Sequence, residues 1–525
     1  MWFDIALAIL PGIILFLYGI EQFSSEILKV SGEKFRKLIK NLTKTPTRGL
    51  FSGALSTAVI QSSTATTIIA LGLVNAGVLS FSNSLGVIFG ANIGTAITAH
   101  LIAFKITFFA PFLIIIGFII SLIGGKYKFL GKPIFYFGLV FFSLNLISTS
   151  VVFLQDAPEI LMLFDSLSNI FIAIGVGILL TILFQSSSVT TGLAVVFTLN
   201  GIISFEQALP IVLGSNVGTT ATSLIASRAM DLFSRRAAMA HFLFNLLGLL
   251  LILPFLPSFI DAINYMGGDP ALKVANAHLI FNLCAGTFFI LILKYFKKLI
   301  EYLVKGEEKE ILLNTKYIND VLPESNEKAF ELIEKELKYN LEISNEIFNI
   351  SMNAIKTNVS SIPKIEKLET LTDILDDRIS ISLLELSKRE LNEIEAEKII
   401  KYSRISNSIE QLADICKRLN LTHHEYFQRG LAFEPDTLIE FETNYLLLSK
   451  NFLLLNQCLP NKNENNEEFV KNYNTLFKTV NLNYKFHIKR MAQKQTISGS
   501  YFVEGVAILE NINDKLLELN RLTNI

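Results

Sequence analysis

The chain has 525 residues, 51% hydrophobic and 18% charged, with 42 Phe and a mean hydropathy of +0.46. Soluble chains carry about 25% charged residues, so this balance excludes a single water-soluble domain, and a net charge of −1 excludes the basic footprint of a nucleic-acid binder. The average conceals two regions. Before Lys305 there are 30 charged residues and 25 of the 29 glycines, whereas the remaining 221 residues hold 63 charges. A boundary near residue 300 follows, with packed membrane helices before it and a water-exposed helical bundle after it. The domains are read as 1–300 in the membrane, 301–323 as linker and 324–525 as the bundle.

Apolar stretches of about 20 residues, enough to span a bilayer, occur at Ile5–Phe23, Phe81–Phe104, Ile106–Gly124, Pro133–Val152, Gln207–Ala226, Ala237–Leu256 and Val274–Lys294. Met1 to Asp4 lead straight into apolar sequence with no basic segment or small-residue cleavage site, so the first span is expected to remain in the mature protein. Two further regions, Gly49–Ala76 and Leu167–Gly201, are interrupted by hydroxyls and amides. Basic loops mark the cytoplasmic side. The stretch Lys29 to Arg48 is read as such a loop. If the two interrupted regions enter and return on their own side, Lys126, Lys128, Lys132, Arg228, Arg235, Arg236, Lys294, Lys297 and Lys298 all lie inside, while Asp156, Glu159, Asp165, Asp261 and Asp269 lie outside. The N-terminus is then outside and the C-terminal region cytoplasmic. Cys284, Cys416 and Cys458 are scattered and odd in number, which excludes a disulfide framework and a zinc site.

Phe51–Leu101 aligns without a gap on Gly175–Ile225, at an offset of 124, with 18 of 51 pairs identical. Gln61-Ser62-Ser63-Thr64-Ala65-Thr66-Thr67 matches Gln185-Ser186-Ser187-Ser188-Val189-Thr190-Thr191. Downstream, Gly90-Ala91-Asn92-Ile93-Gly94-Thr95 matches Gly214-Ser215-Asn216-Val217-Gly218-Thr219. Three crossings separate equivalent points when the interrupted regions are re-entrant, so the copies are inverted. Inverted repeats with broken helices build secondary transporters, whose site lies where the copies meet.

Non-helical backbone at membrane depth is tolerated only when buried or lining a wet cavity. Hydroxyls, amides and freed N–H groups at such a tip make a neutral anion cradle. Neither motif contains an acidic residue, which favours an anionic substrate, and an accompanying alkali cation on the same hard oxygens would offset its charge. Asn92 and Asn216, buried in apolar helices, require hydrogen bonds. Glu21, His100, Lys105, Glu206, His241 and His278 fall near predicted span ends and are read as structural.

The twin Gln-Ser-Ser-(Ser/Thr) motifs, each followed by Gly-x-Asn-x-Gly-Thr, resemble the type II sodium/phosphate cotransporter family in its bacterial form with a cytoplasmic extension. The resemblance covers residues 1 to 300. It implies inorganic phosphate as substrate and sodium as the co-transported ion. It also implies that Gln61, Ser62, Ser63, Thr64, Gln185, Ser186, Ser187 and Ser188 contact them. Thr66, Thr67, Thr190 and Thr191 complete the motifs, with Asn92, Thr95, Asn216 and Thr219 in support. No enzyme is expected, since the membrane part holds no nucleophile and base pair, P-loop or metal cluster.

From Glu324 onward, apolar residues at three- and four-residue spacing give six helices in two triplets, 325–357, 364–392 and 395–421, then 436–457, 467–493 and 500–521. Glu410/Asp414 and Glu510/Asp514 each place two carboxylates on one helix face, a pairing that suits a divalent metal. Their placement is similar to PhoU-like regulatory domains, which implies a phosphate-responsive regulator. His423-His424 is read as a surface pair. The whole is therefore an all-α polytopic membrane protein with inverted repeats, two re-entrant helical hairpins and a cytoplasmic helical bundle. Its expected partners are phosphate, the plasma membrane bilayer, a second copy of the chain and a cytoplasmic regulatory protein. Two alternatives stand beside sodium-coupled phosphate symport by alternating access: a symporter of another small anion, and a membrane phosphate sensor.

Overall fold

The computed structural model describes residues 2–104, 106–123, 128–151, 164–319, 321–357, 362–431, 435–492 and 499–524. Lys105, Lys126, Asp156 and Glu159 lie outside the described residues. Every regular element among them is helical, and they form two compact units, 1–310 and 311–525.

The first unit opens with α1 (Trp2–Leu42), a single helix of 41 residues. The basic stretch from Lys29, read as a loop, is therefore helical as far as Leu42. Lys, Glu and Leu are good helix formers, and charge alone does not end a helix that has no internal breaker. Two helices and a third then repeat at the 124-residue offset: α2 (Pro46–Ile60), α3 (Ser63–Asn75) and α4 (Phe81–Ala103). After α5 (Ala110–Ile123) and α6 (Lys128–Val151) come α7 (Ile170–Phe184), α8 (Ser187–Leu199) and α9 (Phe205–Gly218). The α2/α3 and α7/α8 boundaries agree residue for residue. Gln61 and Gln185 both adopt left-handed backbone, φ 58° and 52°, and Gly77 and Gly201 likewise, φ 70° and 69°.

The chain reverses at each break. Thr57 Oγ1 donates to Thr66 Oγ1 at 2.9 Å and Thr181 Oγ1 to Thr190 Oγ1 at 2.8 Å, although nine residues of straight helix would separate them by about 13 Å. α4 then packs on α2, and α9 on α7, at backbone contact. A Cβ at Gly53 would lie 2.2 Å from Val87 O, at Gly90 2.0 Å from Leu50 O and at Gly94 2.4 Å from Ala54 O. The matched positions Gly177, Gly214 and Gly218 would meet Ile211 O, Ile174 O and Ile178 O at 2.0, 2.2 and 2.7 Å.

The unit is completed by α10 (Thr220–Ala226), α11 (Leu232–Ile252), α12 (Leu256–Tyr265), α13 (Pro270–Leu291) and α14 (Leu293–Leu303). Phe89 of α4 stacks on Phe244 of α11 at 4.4 Å and meets Phe289 and Phe296. Among the described residues five stretches are long and apolar enough to cross a bilayer: 81–103, 128–151, 205–229, 232–265 and 270–291. The region read as a span at Ile106–Gly124 holds a 3-10 turn, Ile106–Phe109, running directly into the apolar α5, with Gly124 outside the described residues.

The second unit holds α15 (Asn326–Thr357), α16 (Ile362–Leu386), α17 (Glu393–Gln428), α18 (Pro435–Cys458), α19 (Asn466–Ala492) and α20 (Gly499–Asn524). α15, α16 and α17 pack together, as do α18, α19 and α20, and α17 joins the triplets along α20. Ahead of α15, Ile318 and Leu322 enter the core, and the buried Glu336 carboxylate accepts from the backbone N–H groups of Lys316, Tyr317 and Ile318 at 2.7–2.8 Å. His423 departs from its surface reading: it is buried against Tyr501, its Nδ1 hydrogen-bonded to the phenol.

The glycine contacts are testable within α7. Gly177→Ala is expected to abolish the monodisperse detergent-purified protein or lower its unfolding temperature sharply. Gly175→Ala, with nothing within 4 Å of the added carbon, is expected to leave that temperature unchanged or raise it, since Ala is the better helix former. Equal behaviour of the two variants would refute the packing account.

Candidate functional site

Each tip is built by the same local logic. Thr45 caps α2 through its hydroxyl, Pro46 supplies the fixed φ of a first helical turn, and the helix ends on the left-handed Gln61. Ser62 is extended and its Oγ accepts from Ala65 N at 3.1 Å, starting α3. Gln185 and Ser186 repeat the same φ/ψ between α7 and α8. A non-glycine residue held in the left-handed region costs about 1–2 kcal/mol and marks a position the surroundings enforce.

The two tips meet at one cavity of about 710 Å³. Gln61, Ser62, Ser63, Thr64, Gln185, Ser186, Ser187 and Ser188 all line it, 124 residues apart in sequence and together in space. The N-termini of α3 and α8 face this space, so their first-turn N–H groups and partial positive charge add to the hydroxyls. The remaining sequence-selected residues lie behind the lining. Thr66 and Thr190 brace the tips as described, and Thr191 Oγ1 is 3.4 Å from Ser215 Oγ. Asn92 and Thr95 bond to carbonyls of their own helix, Ile88 O and Ala91 O. Thr67 Oγ1 and Thr219 Oγ1 are buried without a hydrogen-bond partner among the described residues.

Three features of the site escaped the sequence reading. First, Thr98 Oγ1 donates to Gln61 Oε1 at 2.7 Å while Gln61 Nε2 donates to Ala58 O at 2.6 Å, so the first-copy amide is buried and doubly held. The second-copy Gln185 is exposed. Second, α1 closes one wall with Glu21, Ser24, Ser25 and Lys29, so the cavity holds a carboxylate that neither motif contains. Third, Asn216 is held by α13: His278 Nε2 donates to its Oδ1 at 3.1 Å and its Nδ2 donates to Asn282 Oδ1 at 3.3 Å. The signal for this was present. Ala240-His-Phe-Leu-Phe-Asn-Leu246 in α11 and Ala277-His-Leu-Ile-Phe-Asn-Leu283 in α13 are the same pattern, and in both the Asn Nδ2 donates to the His carbonyl, at 3.0 and 2.8 Å.

In the second unit, Glu410 and Asp414 of α17 face Glu369 and Asp373 of α16. Burial, then the neighbouring carboxylates, push Glu410, Asp414 and Asp373 above the ordinary range, and Lys417 pairs with Glu369 at 2.6 Å. Glu510 is raised by burial and by Asp514, whose Oδ1 accepts from Tyr473 at 2.9 Å. Among the described residues no three His, Cys, Asp or Glu side chains form a group that could hold a metal ion. The divalent-metal expectation thus finds no support in this arrangement, in which a lysine supplies the local counter-charge.

A raised carboxylate destabilises the fold fully above its folded pKa and not at all below its unfolded one. Asp414→Asn is therefore expected to raise the unfolding temperature of the full chain at pH 8, with the gain vanishing as pH falls below about 4. A loss at pH 8 would contradict the account.

The family model described as Na+/Pi-cotransporter matches residues 15–149 and 158–259. An uncharacterised Bacillus subtilis protein, YqeW, is 31% identical over 300 residues, 56% of this chain and 97% of that one. The Escherichia coli protein named "Putative inorganic phosphate export protein YjbB" is 25% identical over 506 residues, 94% of this chain and 92% of its own. The mouse sodium-dependent phosphate transport protein 2C is 48% identical over 85 residues, 15% and 14% of the two chains. No solved structure matches the chain significantly. With this family model over both repeats, and a relative covered almost end to end, the chain belongs to the Na+/Pi-cotransporter family, a family of membrane transporters rather than enzymes.

Proposed function

We propose that the protein carries inorganic phosphate across the plasma membrane by sodium-coupled symport, with the two tips as the substrate site. The observation that carries this reading is the convergence of both Gln-Ser-Ser motifs on one cavity. Phosphate needs several donors, and neither tip motif sets a carboxylate beside them. The serine and threonine hydroxyls, the amides and the two helix N-termini supply those donors without a fixed charge. The same hydroxyl and carbonyl oxygens, with Glu21 on the α1 wall, are hard ligands suited to sodium, whose charge offsets that of the anion in a low dielectric.

In this reading the copies are inverted repeats whose hairpins re-enter the membrane, and alternating access arises as one copy rocks against the other about the tips. The distribution of basic residues along the sequence supports an N-terminus outside and a C-terminal unit in the cytoplasm. That unit acts as a PhoU-like regulatory domain. A second reading concerns direction: the Escherichia coli relative, matched over nearly its whole length, carries phosphate export in its name, so outward movement under native gradients is the alternative to uptake.

Radiolabelled phosphate flux in proteoliposomes, measured in both directions with sodium gradients imposed or replaced by potassium, tests the proposal. Accumulation driven by sodium and competed by arsenate but not by sulfate or succinate is the expected result. Phosphate binding without flux would favour a sensor, and neither would exclude phosphate. Gln61→Ala and Gln185→Ala are each expected to abolish flux with expression intact. Thr98→Val, which removes a hydrogen bond of about 1 kcal/mol from Gln61, is expected to lower it severalfold. Normal flux in all three would remove the tips as the site.

A further inference from the structure

A second cleft, separate from the tip cavity and independent of the transport reading, lies between the charged half of α1 and the α5/α6 hairpin. Its volume is about 520 Å³, and Lys29, Lys34, Lys128 and Lys132 line it together with Glu26. Glu26 pairs with Lys29 at 2.8 Å. Among the described residues, none of Lys34, Lys128 and Lys132 has an acidic partner. Three uncompensated ammonium groups therefore share one concave space.

Their placement on the helix sharpens the point. Lys128 and Lys132 lie one turn apart, and so on one face, of α6. The rest of the wall is of another character. Val30 and Phe129 line the cleft, Phe129 being 49% exposed, and Leu122 and Ile123 of α5 are 66% and 76% exposed. Ser121 adds a hydroxyl. A basic floor beside an open apolar strip matches a phosphate group attached to an acyl chain.

We infer that the cleft formed by Lys34, Lys128 and Lys132 is an accessory binding site for a phosphate group, one that accepts the headgroup of an anionic phospholipid. Free phosphate shares the recognised chemistry, and the two arms of the test separate it from the lipid headgroup.

The test uses the full chain in nanodiscs and three forms: wild type, Lys34→Gln/Lys128→Gln/Lys132→Gln, and the triple Lys→Arg variant. In discs containing phosphatidylglycerol, native mass spectrometry counts retained anionic lipid. In zwitterionic discs, radiolabelled phosphate binding is measured from 50 to 500 mM salt. The glutamine variant is expected to bind the anionic lipid about 100-fold more weakly, since each ammonium contributes about fivefold beside an anionic headgroup, while the arginine variant retains it. A salt-sensitive class of phosphate sites lost only in the glutamine variant would assign the cleft to free phosphate. Should that variant misfold, loss of wild-type lipid retention at high salt gives the same reading. No difference among the three forms in either arm, or salt-insensitive wild-type binding in both, overturns the inference. Tip-cavity binding is expected in all three forms, so its absence would count against the transport reading, while the cleft is judged by its own two arms.

Discussion

The first unit depends on helices that touch through their backbones. Where Gly90 meets Leu50 O and Gly214 meets Ile174 O, the space left for a Cβ carbon is 2.0 and 2.2 Å, far inside van der Waals contact. Such close approach locks α2 to α4 and α7 to α9 over three successive glycine steps, with no net hydrophobic drive available between helices in lipid. With those pairs rigid, the ends of α2 and α7 are placed without freedom, and the left-handed Gln61 and Gln185 are held at a common cavity. A looser crossing would leave the strained glutamine backbone free to relax and the two tips free to separate.

The chemistry at that cavity follows from what a reversing chain leaves unsatisfied. Ending one helix and starting another within two residues frees donors at the N-terminus of the second, and in a membrane interior those donors must be met by protein, water or ligand. Serine and threonine at the first positions supply part of the answer and keep the site neutral. The copies are not equal, however. Gln61 is clamped by Thr98 and Ala58 O, whereas Gln185 is exposed to the cavity. One tip is thereby a fixed wall and the other the tip with a free amide, an asymmetry that a symmetric pair of motifs does not display.

Behind the tips, polar residues that looked alike in sequence serve differently. Asn92 caps a carbonyl within its own helix, while Asn216 is tied to His278 and Asn282 on a helix far along the chain. In the second unit, paired carboxylates that resemble a metal motif are compensated in part by Lys417, and burial together with neighbouring carboxylates raises them.

Much of the architecture was legible in the residues themselves. Apolar length marked five stretches long enough to cross a bilayer, and the 124-residue offset with its twin Gln-Ser-Ser motifs marked the eight tip residues that share one cavity. Those signals are local or are identities repeated along the chain, and hydropathy and self-alignment read both. The continuity of α1 through its basic half was misjudged because charge was taken as a mark of a loop, although it carries no information about helix ends. The α1 wall with Glu21 and Lys29, the Thr98 clamp, the burial of His423 against Tyr501 and the lysine cleft beside α6 were decided only in three dimensions. Each arises where segments remote in sequence come to share a surface, and no spacing rule along one chain records which remote surfaces will meet.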